Sequence, residues 1–138
     1  MSAVVADTNA ALWFLFDPSR LSPAADAAIT TASKSGQIFV SVITLVELVY
    51  LVPKPSFSYP KALNRLVPLI RNSSQPFEAF PVTLDVADAI QRVPRDEIPD
   101  MPDRIIAATA VAARLPLVSS DSKIRGSATL AALVPVIW

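Results

Sequence analysis

Short apolar runs alternate along the chain with stretches of helical spacing, and that alternation predicts most of the fold. Residues 3–6 (AVVA) form a continuous apolar run that stops at Asp7-Thr8-Asn9, as expected of a strand buried on both faces. Thr8 or Asn9 is placed to cap a helix over residues 10–15, which Asp17-Pro18-Ser19 ends. Ser22-Pro23 opens a second helix reaching residue 33, with Gly36 closing it. Residues 38–42 (IFVSV) read as the second strand and pass into a helix over 44–51, stopped by Pro53. After the Pro/Ser-rich loop 54–60, Leu63, Leu66, Val67 and Ile70 carry a helical pattern that Pro68 is expected to kink or shorten. Residues 72–75 are a polar turn.

Residues 77–82 form the third candidate strand, and Thr83 caps a helix from 84 to about 93. A charged loop, 94–99, leads to the stretch 98–114 (IPDMPDRIIAATAVAAR). There Asp100 caps a helix, Pro102 suits its first turn and Asp103 sits where the helix dipole favours negative charge. Residues 115–119 give a fourth strand with Asp121 just beyond it, then a turn at Gly126-Ser127, a short Ala-rich helix and a last strand over 133–138. Strands alternating with helices predict a three-layer α/β/α domain with a mostly parallel sheet of four to five strands, one domain over residues 1–138.

Composition narrows the chemistry. The chain has no Cys and no His, which removes thiolate–zinc sites, thiol nucleophiles, Ser-His-Asp triads and imidazole bases. Hydrolytic chemistry would rest on carboxylates, hydroxyls, Lys/Arg and a bound ion, and oxygen-only ligands select hard cations such as Mg²⁺ or Mn²⁺. Lys plus Arg equals Asp plus Glu at 12 each, so no global basic field advertises nucleic acid and any such substrate needs a local patch. The hydrophobic content of 52% and mean hydropathy of +0.46 are high for this size, pointing to a well-buried sheet, an apolar partner surface, or both. No basic leader precedes the first apolar run, and the longest weakly charged run, 38–53, holds Glu47 and is short for a bilayer. A cytoplasmic protein is the expectation.

Four acids stand in apolar settings near predicted strand ends. Asp7 ends the first strand, Glu47 rides the helix after the second, Asp103 starts the helix before the fourth, and Asp121 follows the fourth. Parallel sheets bind ligands beyond the carboxyl ends of their strands, so all four can approach one rim. Each has a plainer reading. Asp7 and Asp121 suit caps or turns, and Asp100 is the acid best explained as a cap alone. Ser41, Thr44, Glu47 and Tyr50 recur every three residues and so suit a solvent-facing stripe. Against that, Glu47 is the sole charge between Lys34 and Lys54. Gathered carboxylates repel, and a divalent cation removes that penalty while making phosphodiester hydrolysis feasible without histidine.

The order of these motifs is familiar. Ala6-Asp7-Thr8-Asn9-Ala10 resembles the opening of PIN domains, Glu47 resembles their second acid, Asp100-Met101-Pro102-Asp103-Arg104 is similar to their Asp-x-x-Asp-Arg signature, and Ser119-Ser120-Asp121 looks like their Thr-x-Asp motif with Ser in place of Thr. The resemblance covers essentially the whole chain and implies a Mg²⁺- or Mn²⁺-dependent ribonuclease. Without an added domain, the size resembles VapC-type toxins of toxin–antitoxin pairs, which implies a homodimer inhibited by an antitoxin that inserts a segment at the active site. It also implies Asp7, Glu47, Asp103 and Asp121 as metal-binding catalytic acids, with Asn9, Ser119 and Asp100 supporting them. Arg104, Lys123 and Arg125 are the candidate RNA contacts, Arg104 foremost because it adjoins Asp103. Two other readings stay open: a PIN-like module that binds RNA or protein without cutting, and an aspartate-based phosphatase. The second would usually have Asp two residues after Asp7, where this chain has Asn9.

Overall fold

The computed structural model describes residues 2–72 and 76–138; the polar turn expected at 72–75 lies, beyond Asn72, outside them. Five parallel strands form one sheet: β1 (Val4–Ala6), β2 (Ile38–Ser41), β3 (Phe77–Phe80), β4 (Leu117–Val118) and β5 (Val136–Ile137), in the order β3-β2-β1-β4-β5. The chain builds outward from β1 to β3, returns, and then builds outward on the other side. The order therefore reverses between β1 and β4, where α/β sheets open a crevice at their carboxyl ends.

The strands are shorter than the apolar runs that predict them. Pairing ends where the flanking residues turn into caps: Ser41 stops β2 because its hydroxyl accepts from Ile43 N–H and starts the next helix, and β4 ends before Ser119. Helices fill the two outer layers. Beneath one face lie α1 (Thr8–Phe16), α2 (Pro23–Ser35) and α4 (Ala62–Arg71); on the other lie α5 (Leu84–Ala89), α6 (Met101–Ala113) and the short α7 (Ser122–Arg125) and α8 (Ala128–Ala131). Alternate strand residues feed alternate layers, as the two-residue period requires. Val4, Ala6 and Val118 join the first cluster, whereas Val5 and Leu117 join the second. Helix α3 (Val42–Leu51) serves both, since Leu48 packs into the first and Ile43 against the second. Among the described residues no helix is long and apolar enough to cross a membrane.

Some expectations change. The cap of α1 is Asp7 rather than Thr8 or Asn9: Asp7 is extended (φ −72°, ψ 174°) and its Oδ1 accepts from Ala10 N–H at 2.8 Å. The helix expected over 84–93 splits into α5 and a 3-10 turn, Ile90–Arg92. Pro68 does not end α4; both it and Asn64, whose carbonyl loses its helical partner, are exposed to water.

The alanines of α6 have a packing reason. Ala107, Ala108 and Ala110 are fully buried beside Ile106 and Thr109, and their small side chains bring the helix axis close to the sheet. The helix ends with Arg114 in the left-handed region (φ 58°, ψ 45°). Leu115 N–H bonds to Ala110 O and Arg114 N–H to Val111 O, the Schellman pattern in which glycine is the usual occupant.

Candidate metal centre

The carboxyl-end crevice gathers the predicted acids. A cleft of about 290 Å³ is lined by Asp7, Thr8, Asn9, Glu47, Leu51, Asp100, Asp103 and Asp121. No Lys or Arg is among them. A larger hollow of about 580 Å³, bounded by residues such as Ala3, Ala28, Arg114 and Leu115, lies at the other end of the strands and has no carboxylate in its wall.

Asp7 is fixed first. Its N–H bonds to Val118 O, so the end of β1 is tied to the end of β4. Its Oδ1 caps α1, and its Oδ2 accepts a short hydrogen bond from the Ser119 hydroxyl. Ser119 Oγ in turn accepts from Asp121 N–H at 3.1 Å. One buried serine thus orients two of the acids across a separation of more than a hundred residues. Asp121 uses Oδ1 to cap α7, accepting from Lys123 and Ile124 N–H at 2.9 and 3.0 Å, and its other oxygen has no donor among the described residues.

Glu47 is held from the opposite wall. Thr8 Oγ1 donates to Glu47 Oε1 at 2.8 Å and lies 3.0 Å from Thr44 Oγ1. A hydroxyl has one proton, so Thr44 donates to Thr8 and Thr8 to Glu47. The solvent-facing stripe considered for Ser41, Thr44, Glu47 and Tyr50 does not exist: Ser41 and Thr44 are fully buried, and only Tyr50 is widely exposed. Thr8, weighed in the sequence merely as a cap, is the supporting residue that sequence reasoning missed. A hydroxyl beside the Asp7 motif was the available signal, but its partner 39 positions away was not visible.

Asp103 stands at the start of α6, where its backbone N–H bonds to Asp100 Oδ2 at 3.0 Å. Asp100 is therefore the helix cap expected, and it also lines the cleft. The carboxylate of Asp103 has no hydrogen-bond donor among the described residues. Arg104 turns elsewhere. Its guanidinium donates to Val93 O at 3.0 and 2.8 Å and to Ile90 O at 3.1 Å, closing the 3-10 turn after α5, so it is spent on structure instead of offered to RNA. Lys123 and Arg125 are exposed on α7, with neither in the cleft wall.

The electrostatics follow from this crowding. Asp7, only 5% exposed, is raised from 3.8 to about 6; burial is the main cause, opposed by the bonds from Ser119 and Ala10 and reinforced by Asp121 and Glu47. Asp103 is raised from 3.8 to about 7, first by burial and then by the negative charges of Asp100, Asp121, Glu47 and Asp7. Glu47 is raised by burial, with Thr8 pulling it back and Asp100 adding to the rise. Among the described residues no three acids are already closed into an ion-holding cage; they ring the cleft, held apart as like charges are. The donor set is nevertheless all oxygen, rich in carboxylate and without a neutralising cation, which suits a hard divalent ion.

Known proteins share the fold. The PIN domain family matches residues 4–128, and comparison with curated protein sequences gives no match. Among solved structures, the chain is similar to VapBC2 from Rickettsia felis bound to a promoter DNA fragment (TM-score 0.67, 16% identity, 97% of this chain and 96% of that one). It is similar to VapBC-5 from Mycobacterium tuberculosis, of the VapBC family of toxin–antitoxin systems (0.56, 23%, 99% and 98%), and to FitAcB from Neisseria gonorrhoeae (0.57, 24%, 96% and 95%). With the match spanning β1 to the start of α8 and the acids grouped at the sheet's switch point, the chain belongs to the PIN domain family.

Proposed function

We propose that this PIN domain is a Mg²⁺- or Mn²⁺-dependent endoribonuclease and the toxin of a type II toxin–antitoxin pair. In this reading it acts in the cytoplasm as a homodimer and is inhibited by a cognate antitoxin protein. The observation that carries the nuclease reading is the convergence of Asp7, Glu47, Asp103 and Asp121 on one cleft with no cationic side chain in its wall. The toxin reading is supported by likeness to structures that are themselves toxin–antitoxin complexes.

Asp7, Glu47, Asp103 and Asp121 would hold the ion, with Asp100 and Asn9 at the rim. When bound, the ion supplies neutralisation of the carboxylates, a lowered pKa for water and charge stabilisation on the phosphodiester. The protein's own groups do the positioning. Ser119 fixes Asp7, Thr8 fixes Glu47, and backbone N–H groups fix Asp121, so three acids arrive in set orientations. Asp103, without such a donor, is free to adjust. With carboxyls near 6 and 7, protons compete with the cation below neutrality, and activity should rise as pH increases from about 6 to 8.

The test is cleavage of total RNA and tRNA with Mg²⁺ or Mn²⁺ against EDTA. Cleavage that persists in EDTA rules out the metal. Wild-type rates in both Asp7→Asn and Asp103→Asn rule out the site.

A further inference from the structure

A second cluster of chemistry-bearing side chains lies beside the cleft and plays no part in holding its acids. The zero net charge conceals a segregation: residues 48–77 contain no Asp or Glu but carry Lys54, Lys61, Arg65 and Arg71. This basic stretch begins at the C-terminal end of α3, where Leu51 lines the cleft. Helix α1 also starts at the cleft. On it Asn9, Trp13 and Phe16 follow at i, i+4 and i+7 and so share one face, with Asn9 exposed in the cleft wall and both rings partly exposed.

The two elements meet in an aromatic ridge. Trp13 tilts against Trp138 with ring centres 5.7 Å apart, and Phe16 stacks with Tyr59 of the loop at 5.5 Å and 26°. Phe57 meets Tyr59 edge-on. Two exposed guanidiniums lie on this ridge: Arg20 over Trp13 at 4.5 Å and Arg65 over Phe16 at 5.5 Å. Among the described residues no carboxylate pairs with either. The two cations sit over rings three residues apart along α1, and the rings do not neutralise them. Exposed guanidiniums accept unstacked bases, while their charges and the nearby lysines attract phosphates. An acidic peptide would use the charges but leave the ring stack without a role, so a nucleic-acid strand fits better.

Resting on the nuclease reading above, we propose that the Arg20–Trp13 and Arg65–Phe16 pairs form the track that binds single-stranded RNA and leads it to the acid cleft. The track supplies a local basic patch in a chain of zero net charge.

The experiment is fluorescence-anisotropy titration of a labelled, mixed-sequence single-stranded RNA with the full chain. Ca²⁺ stands in for Mg²⁺, and cleavage is followed separately in Mg²⁺. The Arg20→Ala/Arg65→Ala variant should bind about tenfold more weakly or worse. The slope of log affinity against log salt should fall by about 1.4, ~0.7 for each lost phosphate contact. Arg20→Lys/Arg65→Lys should recover the slope but not the affinity, because the charge returns without the plane. Arg92→Ala/Arg95→Ala, on the far layer, should bind as wild type. If the Arg20/Arg65 alanine variant stays folded and binds within about twofold of wild type, the track is overturned while the nuclease reading stands. Should it lose its fold, Arg20→Gln/Arg65→Gln carries the same test, and unchanged binding there overturns the track. RNA binding that depends on the arginines with no cleavage in Mg²⁺ or Mn²⁺ supports the track and removes the nuclease reading. Equal competition by a Glu-rich peptide overturns the assignment in favour of a protein-docking surface.

Discussion

Asp7 should cost the ion-free protein stability, and the cost can be measured. Its carboxyl ordinarily titrates at 3.8 and in the fold at about 6. Since the folded value is the higher one, the native state binds more protons than the unfolded chain between these limits. Stability therefore falls as pH rises from about 4 to about 6 and levels off above. At about 1.4 kcal/mol per pH unit of displacement, the ionised group weighs against the fold by roughly 3 kcal/mol. Asp7→Asn removes that charge at constant shape. Its carbonyl still accepts from Ala10 N–H, whereas the Ser119 hydroxyl must rotate, losing about 1 kcal/mol. The variant should thus be more stable than wild type by about 2 kcal/mol at pH 7.5 in EDTA, or ~8 °C in Tm for a domain of this size. Urea or thermal denaturation followed by circular dichroism measures this. Wild type should gain stability when the pH is lowered from 7.5 to 5, and Asp7→Asn should lose only the Asp7 share of that gain, because Asp103 and Glu47 are raised as well. Mn²⁺ should raise the Tm of wild type only. An Asp7→Asn protein less stable than wild type in EDTA would refute the reasoning, because Asp7 would then be a helix cap whose charge carries no penalty.

Other substitutions test separate parts of the site. Asp103→Asn should lower metal-dependent cleavage on the order of a hundredfold or more while leaving the fold intact, read from initial rates and near-UV circular dichroism. Thr8→Val removes the donor to Glu47 and should weaken Mn²⁺ affinity by roughly tenfold, measured calorimetrically. Arg104→Ala should destabilise the protein by about 2 kcal/mol, because the Ile90 and Val93 carbonyls lose a charged donor. Its RNA affinity should stay unchanged in the same anisotropy assay. Arg114→Gly should stabilise by about 0.5–1 kcal/mol, since glycine takes the left-handed position freely and loses part of that gain to its greater unfolded freedom; an unchanged or lowered Tm would count against it.

Much of the site was legible because strand ends and helix starts leave local marks. An acid that halts a fully apolar run, as Asp7 does, is conspicuous in one dimension, and so is a carboxylate in the first turn of an alanine-rich helix, as at Asp103. Asp100 as a cap, Ser22 as a cap and Thr83 as a cap follow from the same local rules and recur in the structure. Alternatives stayed open where a side chain's partner is distant. The three-residue spacing from Ser41 to Tyr50 suits an exposed face equally well, and only the contact of Thr8 with Thr44 and Glu47 shows that most of it turns inward. Arg104 adjoins an acid in sequence, yet its reach back to Ile90 and Val93 depends on how α5 packs against α6.

The sequence by itself determined the class of fold, the approximate places of strands and helices, and the oxygen-only character of the chemistry. Periodicity, capping and composition are local properties that one chain carries whatever its neighbours. Tertiary structure alone decided the strand order, and with it the placing of β4 beside β1. That adjacency brings Ser119 onto Asp7 and puts Asp121 near both. It decided as well that the two acids most strongly displaced are Asp7 and Asp103, because desolvation and charge repulsion depend on distances through space rather than along the chain.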